Sequence, residues 1–205
     1  KYGTELSLTW PRIVAPFQFH SSSAYVPKTR VSLGYEYLRR SKLYTLHSFK
    51  GAFGYMWKEN VRKEHDLKVL EINYVSPQDV SALYIEQATG NPSMEKILDK
   101  QLIFGPTYSY TYTNTMNRFK KNTIYYKASL DLSANITGLL MGGNADKGEV
   151  HQILGVDYSQ YVKMEHDFRY YKRLDRSSQI IGRIHAGIGL PYGNSNQLPY
   201  IKQFI

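Results

Sequence analysis

The sequence predicts an all-β protein whose strands form an antiparallel wall with one apolar and one polar face, the construction of a transmembrane β-barrel segment. Three observations predict it. Apolar and polar residues alternate with period two in segment after segment, the mark of a strand lying between two different environments. These segments number about eight, and most run about 9–14 residues; strands of globular proteins run about 5–6, and a strand tilted through a bilayer needs about 9–11. Aromatic character is carried mainly by tyrosine, with 19 Tyr against 8 Phe and 2 Trp. Tyrosine suits a surface that is apolar at one end and wet at the other.

The chain has 205 residues, 42% of them hydrophobic, and a formal net charge of +9. That length suffices for a sizeable core, and no compositional break, repeat or low-complexity linker divides it into domains. The absence of cysteine excludes a disulfide scaffold, a thiolate metal site and a Cys nucleophile, and leaves the redox compartment open. No run approaches the roughly 18 consecutive apolar residues of a transmembrane helix. Lys1–Leu6 lacks the apolar stretch of a signal peptide and opens in strand-like sequence, so the chain reads as an internal piece of a longer one.

Each strand is justified by its own alternation. Glu5–Trp10 is a short example. In Lys28–Arg40, Val31, Leu33, Tyr35 and Tyr37 oppose Arg30, Ser32, Gly34 and Glu36. Leu43–Trp57 and Asp66–Val75 alternate more loosely. In Thr107–Thr113, Tyr108, Tyr110 and Tyr112 oppose Thr and Ser, and Leu102, Phe104 and Pro106 extend the apolar side backward. In Thr123–Ile136, Ile124, Tyr126, Ala128, Leu130, Leu132, Ala134 and Ile136 oppose Lys127, Ser129, Asp131, Ser133 and Asn135. In Tyr161–Tyr170, Val162, Met164, Phe168 and Tyr170 oppose Lys163, Glu165, Asp167 and Arg169, with His166 on the otherwise apolar side. In Ile180–Leu190, Ile184, Ala186, Ile188 and Leu190 oppose Arg183, His185, Gly187 and Gly189.

Connections are short at Arg40–Lys42 and Leu174–Ser177, intermediate at Lys58–Glu64 and Asn114–Asn122, and long at Ile13–Pro27, Ser76–Lys100 and Thr137–Tyr158. From Trp57 onward longer and shorter connections alternate, as they do in outer-membrane barrels. The one helical candidate is Ser93–Lys100, with Ser93 as its cap.

The polar face bears on the choice between a barrel and a soluble sandwich or lipocalin-like barrel, both of which alternate. It carries glycines inside long strands, Gly34, Gly105, Gly187 and Gly189, which suit a wall that bends or a plug that approaches the backbone. The apolar face places Tyr35, Tyr37, Tyr44, Tyr55, Trp57, Tyr108, Tyr112, Tyr126 and Tyr170 toward strand ends, as lipid-facing aromatic girdles would. Glu36, Lys127, Asp131, Lys163, Glu165, Asp167, Arg169 and Arg183 are lumen-facing candidates for a cross-strand charge ladder, with His185 beside Arg183.

Other chemistries fit less well. The cationic excess lies partly in turns, at Arg39-Arg40, Arg118–Lys121 and Lys172-Arg173, and charges and aromatics take opposite faces. A nucleic-acid groove would want them on one face, so no nucleic-acid partner is expected. Solvated loops, or contacts with lipid head groups and lipopolysaccharide phosphates, account better for these cations. His20, His47, His65, His151, His166 and His185 show no metal-ligand spacing. Gly142–Glu149 does not match a calcium loop, and Gly187–Gly193 spells an imperfect GxGxxG with Pro191 and no helix after it. There is no Gly-x-Ser-x-Gly elbow. No catalytic residue, metal site or cofactor is expected.

Ser178–Ile205 reads SQIIGRIHAGIGLPYGNSNQLPYIKQFI, a strand ending in Gly-Ile-Gly-Leu-Pro-Tyr-Gly and followed by Leu198-Pro199-Tyr200 and Lys202-Gln203-Phe204. With Glu5–Phe17, Pro27–Tyr44, Gly54–Trp57 and Leu98–Tyr112, in this order, it resembles the BamA/TamA superfamily of outer-membrane assembly factors, most closely the TamL-like and BamA-like members of Bacteroidetes. The resemblance runs nearly end to end. It implies about eight of sixteen up-and-down strands, with the last strand leading outward into the sixth extracellular loop, Leu174–Ser177 in the periplasm and Thr137–Tyr158 outside. The family's Arg-Gly-Phe loop motif, its periplasmic POTRA domains and its first and last barrel strands have no counterpart here.

The implied function is assembly, insertion or translocation of outer-membrane proteins, without enzymatic activity. The implied partners are outer-membrane lipid and lipopolysaccharide, client barrel proteins, and accessory lipoproteins or periplasmic subunits. Two alternatives stay open: a passive porin or substrate-specific channel, and the barrel anchor of a patatin-like lipase.

Overall fold

In an antiparallel pair, residues directly opposite one another point to the same side of the sheet, so each alternating strand adds to the two faces its neighbours have begun. The computed structural model of the chain describes residues 1–16, 24–90, 99–117, 119–175 and 177–204. Eight long strands follow one another, each hydrogen-bonded to the next: β1 (Tyr2–Trp10), β2 (Lys28–Arg40), β3 (Tyr44–Asn60), β4 (Lys63–Gln78), β5 (Gln101–Thr113), β6 (Asn122–Ser133), β9 (Tyr161–Arg173) and β10 (Gln179–Pro191). Two short strands, β7 (Gln152–Ile153) and β8 (Val156–Tyr158), form a hairpin, and β8 pairs in parallel with the start of β5. The described residues also hold two α-helices, α1 (Ala82–Ala88) and α2 (Asn135–Met141), and short 3-10 turns at Ala145–Lys147 and Tyr200–Lys202. Among the described residues β1 and β10 do not pair with each other, so the sheet is open.

The all-β, antiparallel expectation holds, and β2 has the bounds its alternation marked. At one end of the sheet the strands are joined by the connections 11–27, 61–62, 114–121 and 174–178. The other, helical end carries 41–43, 79–100, 134–160 and the segment after β10.

Several expectations are corrected. The connection expected over Lys58–Glu64 is a turn at Val61 and Arg62, because Asn60 Oδ1 accepts from the amides of Arg62 (2.9 Å) and Lys63 (3.1 Å) and lets both strands run on. The strand expected through Ile136 ends at Ser133. Ala134 turns into the left-handed region (φ 50°), and Ile136, Leu139 and Leu140 then follow helical spacing. Tyr44 lies opposite Arg40 on the polar side, packed edge-on against Tyr84 of α1 at 4.8 Å, and not among the outward aromatics. Helix α1 is capped by Ser81, whose Oγ accepts from the Tyr84 amide at 3.2 Å. Most of the helical candidate Ser93–Lys100 lies outside the described residues, as do His20 and Arg118.

A bulge at Val69-Leu70 keeps the faces in phase. The pairing steps from Phe53↔Leu70 to Gly54↔Lys68 on one side and from Glu71↔Gly105 to Lys68↔Thr107 on the other. The extra residue brings Lys68 and Glu71, three apart, onto the polar face as an ion pair of 2.6 Å. Glycine is needed where the backbones close up. A Cβ on Gly54 would lie 2.7 Å from the Lys68 Cα and meet the Leu67 carbonyl, and one on Gly105 would meet the Leu132 carbonyl. On Gly51 it would make ordinary contact with Leu33 at 3.7 Å.

Gly54→Ala should therefore destabilise the full chain by about 1–3 kcal/mol in denaturant unfolding. Gly51→Ala should change stability by less than about 0.5 kcal/mol. Equal effects would contradict the close approach at the bulge.

Candidate functional site: a strapped polar face

Tyr44 apart, register sorts the strand positions named from sequence onto the two faces expected of them. Tyr35, Tyr37, Trp57, Tyr108, Tyr112, Tyr126 and Tyr170 share one face with Leu6, Leu33, Phe49, Ile72, Leu130, Met164, Ile184 and Ile188. Glu36, Lys127, Asp131, Lys163, Glu165, Asp167, Arg169, Arg183 and His185 share the other.

The apolar face is graded along the strands. Toward the helical end Tyr2 meets Tyr37 (6.4 Å between ring centres) and Tyr35 meets Phe49 (4.9 Å). Toward the other end Trp57 stacks on His65 at 4.8 Å, and His65 approaches Tyr110 at 5.2 Å. Between these groups lie aliphatic side chains together with Phe53, Tyr108, Tyr126 and Phe168. Three histidines fall on this face, each with its Nδ1 held by a tyrosine hydroxyl: His47 by Tyr35 (2.7 Å), His65 by Tyr108 (2.7 Å) and His166 by Tyr126 (2.9 Å). The pairing satisfies one polar nitrogen on an otherwise greasy surface.

On the polar face the charges form local sets. Arg169 and Arg183 stand directly opposite each other in register, which by itself is repulsive. Asp167 resolves it with two forked contacts, to Arg169 (3.1 and 2.6 Å) and to Arg183 (3.1 and 3.0 Å). Lys163, buried, reaches Glu165 at 3.4 Å, and Glu36 is bracketed by Lys1 (2.9 Å) and Lys50 (3.3 Å). Lys127 and His185 flank Asp167 in register, and among the described residues neither joins an ion pair.

The feature not foreseen is what covers this face. After β10 the chain folds back over it as a strap, residues 192–204. Leu198 sits on Gly189 and Phe204 on Gly187, where a Cβ would collide with each. Lys202 Nζ donates to Asp131 Oδ2 at 2.6 Å, and Asp131 also accepts from Thr107 (3.4 Å) and Tyr161 (3.3 Å). Lys163 Nζ lies 4.4 Å from the centre of the Phe204 ring. Tyr200 packs against the buried cluster of Tyr44, Leu46, Val75, Tyr84 and Ala88 carried by β3, β4 and α1. One short segment thus touches β10, β9 and β6 and also the cluster above β3 and β4, so the polar face is the concave one.

The strap's first turn is locked to the helical end. Asn194, buried, donates to the carbonyls of His151 (2.9 Å) and Tyr158 (3.0 Å) and accepts from the His151 amide (2.7 Å), while the Gln160 amide donates to Ser195 Oγ (2.9 Å). Neutral Asn, Gln and Ser in connections give no sequence signal for such a hub. Of the four glycines read as sites of a bend or an approaching plug, Gly187 and Gly189 lie under the strap, while a Cβ on Gly34 would make only ordinary contacts. Outside the strands, burial pushes the Tyr84 hydroxyl up. The amide of Ser177, with help from its hydroxyl and from Ser178, holds the Asp175 carboxyl below the usual carboxylate range.

Among the described residues no group of three or more His, Cys, Asp or Glu could hold a metal, and no helix is long and apolar enough to cross a membrane. The chain matches no family model, and no curated protein matches it.

Lys202→Met should loosen the strap by about 1–2 kcal/mol, the scale of a charge-assisted hydrogen bond that is partly screened. Amide hydrogen exchange over 198–204 should then quicken about tenfold, and the exchanged pair Asp131→Lys with Lys202→Asp should recover part of the protection. Unchanged exchange would show that the ion pair does not hold the strap.

Proposed function

We infer that this chain is wall from an outer-membrane β-barrel that assembles or inserts other outer-membrane proteins, or translocates them. The observation that carries the membrane part is the uncovered apolar face. Leu33 is 62% exposed and Ile184 67% exposed, amid aliphatic neighbours that run across eight strands. So large a continuous patch is foreign to a monomer in water and suits hydrocarbon. The long strands, and the aromatic contacts toward both ends of β3 and β4, support the same reading. In a closed barrel the edges β1 and β10 would take further strands, since open edges are not tolerated in lipid.

The assembly part rests on the resemblance of Gly187–Gly193 and of 198–204 to the strand and sixth loop of the BamA/TamA superfamily, and on how the strap lies. A charged concave face roofed by the segment after β10 fits a wall that docks that loop. In this reading the wall stays rigid while client strands insert at a seam elsewhere in the barrel. The helical end faces outward, toward lipopolysaccharide, and client barrel proteins and accessory lipoproteins or periplasmic subunits are the expected partners. No step of the proposed function calls for a cofactor.

With the barrel closed, Ile184→Lys should cost about 2–4 kcal/mol of folding free energy in phospholipid vesicles, because a lipid-facing ammonium is penalised near the bilayer midplane. Ser129→Lys, on the concave face, should cost less than about 1 kcal/mol. In a water-facing sheet an exposed Ile184→Lys would be close to neutral, and that result would end the membrane reading.

Charge reversal at Arg183 should lower the yield of client barrel proteins in the outer membrane of cells relying on this protein, and more than reversal at the turn cation Lys121. Equal effects would remove the wall's charge cluster from the assembly role.

A further inference from the structure

We propose that α2 is an interfacial helix, lying in the head-group layer of the outer leaflet and extending the lipid-facing surface beyond the ends of the strands. The proposal rests on the membrane reading above and adds to it a second, non-strand contact with lipid.

The placement of α2 comes from its attachments. The β9–β10 ladder runs one step past Pro191↔Tyr161, because the Tyr192 amide donates to the Gln160 carbonyl at 3.2 Å. By alternation Tyr192 and Gln160 fall on the side of Val162 and Leu190, the apolar side. Helix α2 is fastened to this pair. The side-chain amide of Asn135 shares a 2.6 Å hydrogen bond with the Tyr192 hydroxyl, and Gly138 lies so close to the Gln160 side chain that a Cβ there would collide with it. The helix therefore lies across the tops of β9 and β10 on the apolar side, one residue after β6 ends.

Its free surface matches that position. Ile136, Leu139 and Leu140, at spacing i, i+3 and i+4, form one stripe and are 73%, 85% and 82% exposed. No charged residue occurs in the helix. Three large aliphatic side chains directed into water have no offsetting interaction, whereas the same stripe continues the apolar surface of half-buried Leu132 and Val162 and exposed Leu190 toward the membrane rim. A helix of seven residues, with no side-chain cap on Ala134, is also below the length that holds in water unaided. An apolar stripe sunk about 5–10 Å into the head-group and acyl boundary supplies that support.

The absence of cysteine makes the test direct. Single variants Leu139→Cys, Ile184→Cys and Ser129→Cys, each in the edge-closed barrel, would carry a fluorophore in vesicles whose lipids bear a spin-label quencher, either near the head group or near the chain ends. Leu139 is exposed, so its replacement leaves the fold intact. The expected result is that the label at 139 is quenched about two-fold more by the shallow quencher than by the deep one, with the reverse at 184 and little quenching at 129. An unquenched label at 139 with a quenched one at 184 would overturn the interfacial helix and leave the membrane wall standing, with the stripe then open to a protein partner. An unquenched label at 184 would remove the membrane wall and the helix proposal together.

Discussion

Everything in this protein depends on the two faces of one sheet staying in phase. Cross-strand partners share a side, so each of the eight long strands must enter its ladder at a register that keeps tyrosine and aliphatic residues on one side and charge on the other. A slip of one residue would transfer a whole strand's set to the wrong surface. The one place where the β4 sequence loses phase, at Val69-Leu70, is the place where the bulge restores it. Gly54 beside that bulge and Gly105 on the far side of β4 admit backbones that any side chain would hold apart.

The concave face is organised by charge neutralisation and by a covering segment. Two arginines that stand opposite each other are held by one aspartate, and the strap brings its own cation, Lys202, to an aspartate that already has hydroxyl donors. The strap in turn depends on absent side chains, since Leu198 and Phe204 occupy the space that Gly189 and Gly187 leave empty. Glycine within a strand weakens it, and here that cost is offset by close packing from above. The same logic places Gly138 against Gln160, where it lets a helix lie flat on the sheet's rim.

The existence of the long strands and, Tyr44 apart, the membership of each face were legible because period two is a local property of the chain. Lys28–Arg40 could be bounded to the residue, since its alternation stops where charge runs on at Arg39-Arg40. Local reading failed where two periods overlap. Ala134 and Ile136 continue the alternation of β6, yet Ile136, Leu139 and Leu140 also fit a helix, and a left-handed turn at Ala134 decided for the helix. It also failed at Tyr44, where a tyrosine near a strand end looked like part of an aromatic rim and instead packs beneath α1.

By itself the sequence determined a long-stranded antiparallel sheet with a tyrosine-rich apolar face and a charged face, because side-chain direction in a strand follows from position alone. It also marked Gly187 and Gly189, with Gly34 and Gly105, as places where the wall bends or another segment approaches the backbone. Which neighbour arrives there was a tertiary decision. Lys202 reaches Asp131 across 71 residues of chain, and Asn194 joins connections 36 and 43 residues away, contacts that leave no period to read. The curvature that makes the charged face concave, and the seat of α2 on Gln160 and Tyr192, likewise arise only when distant segments compete for the same surface.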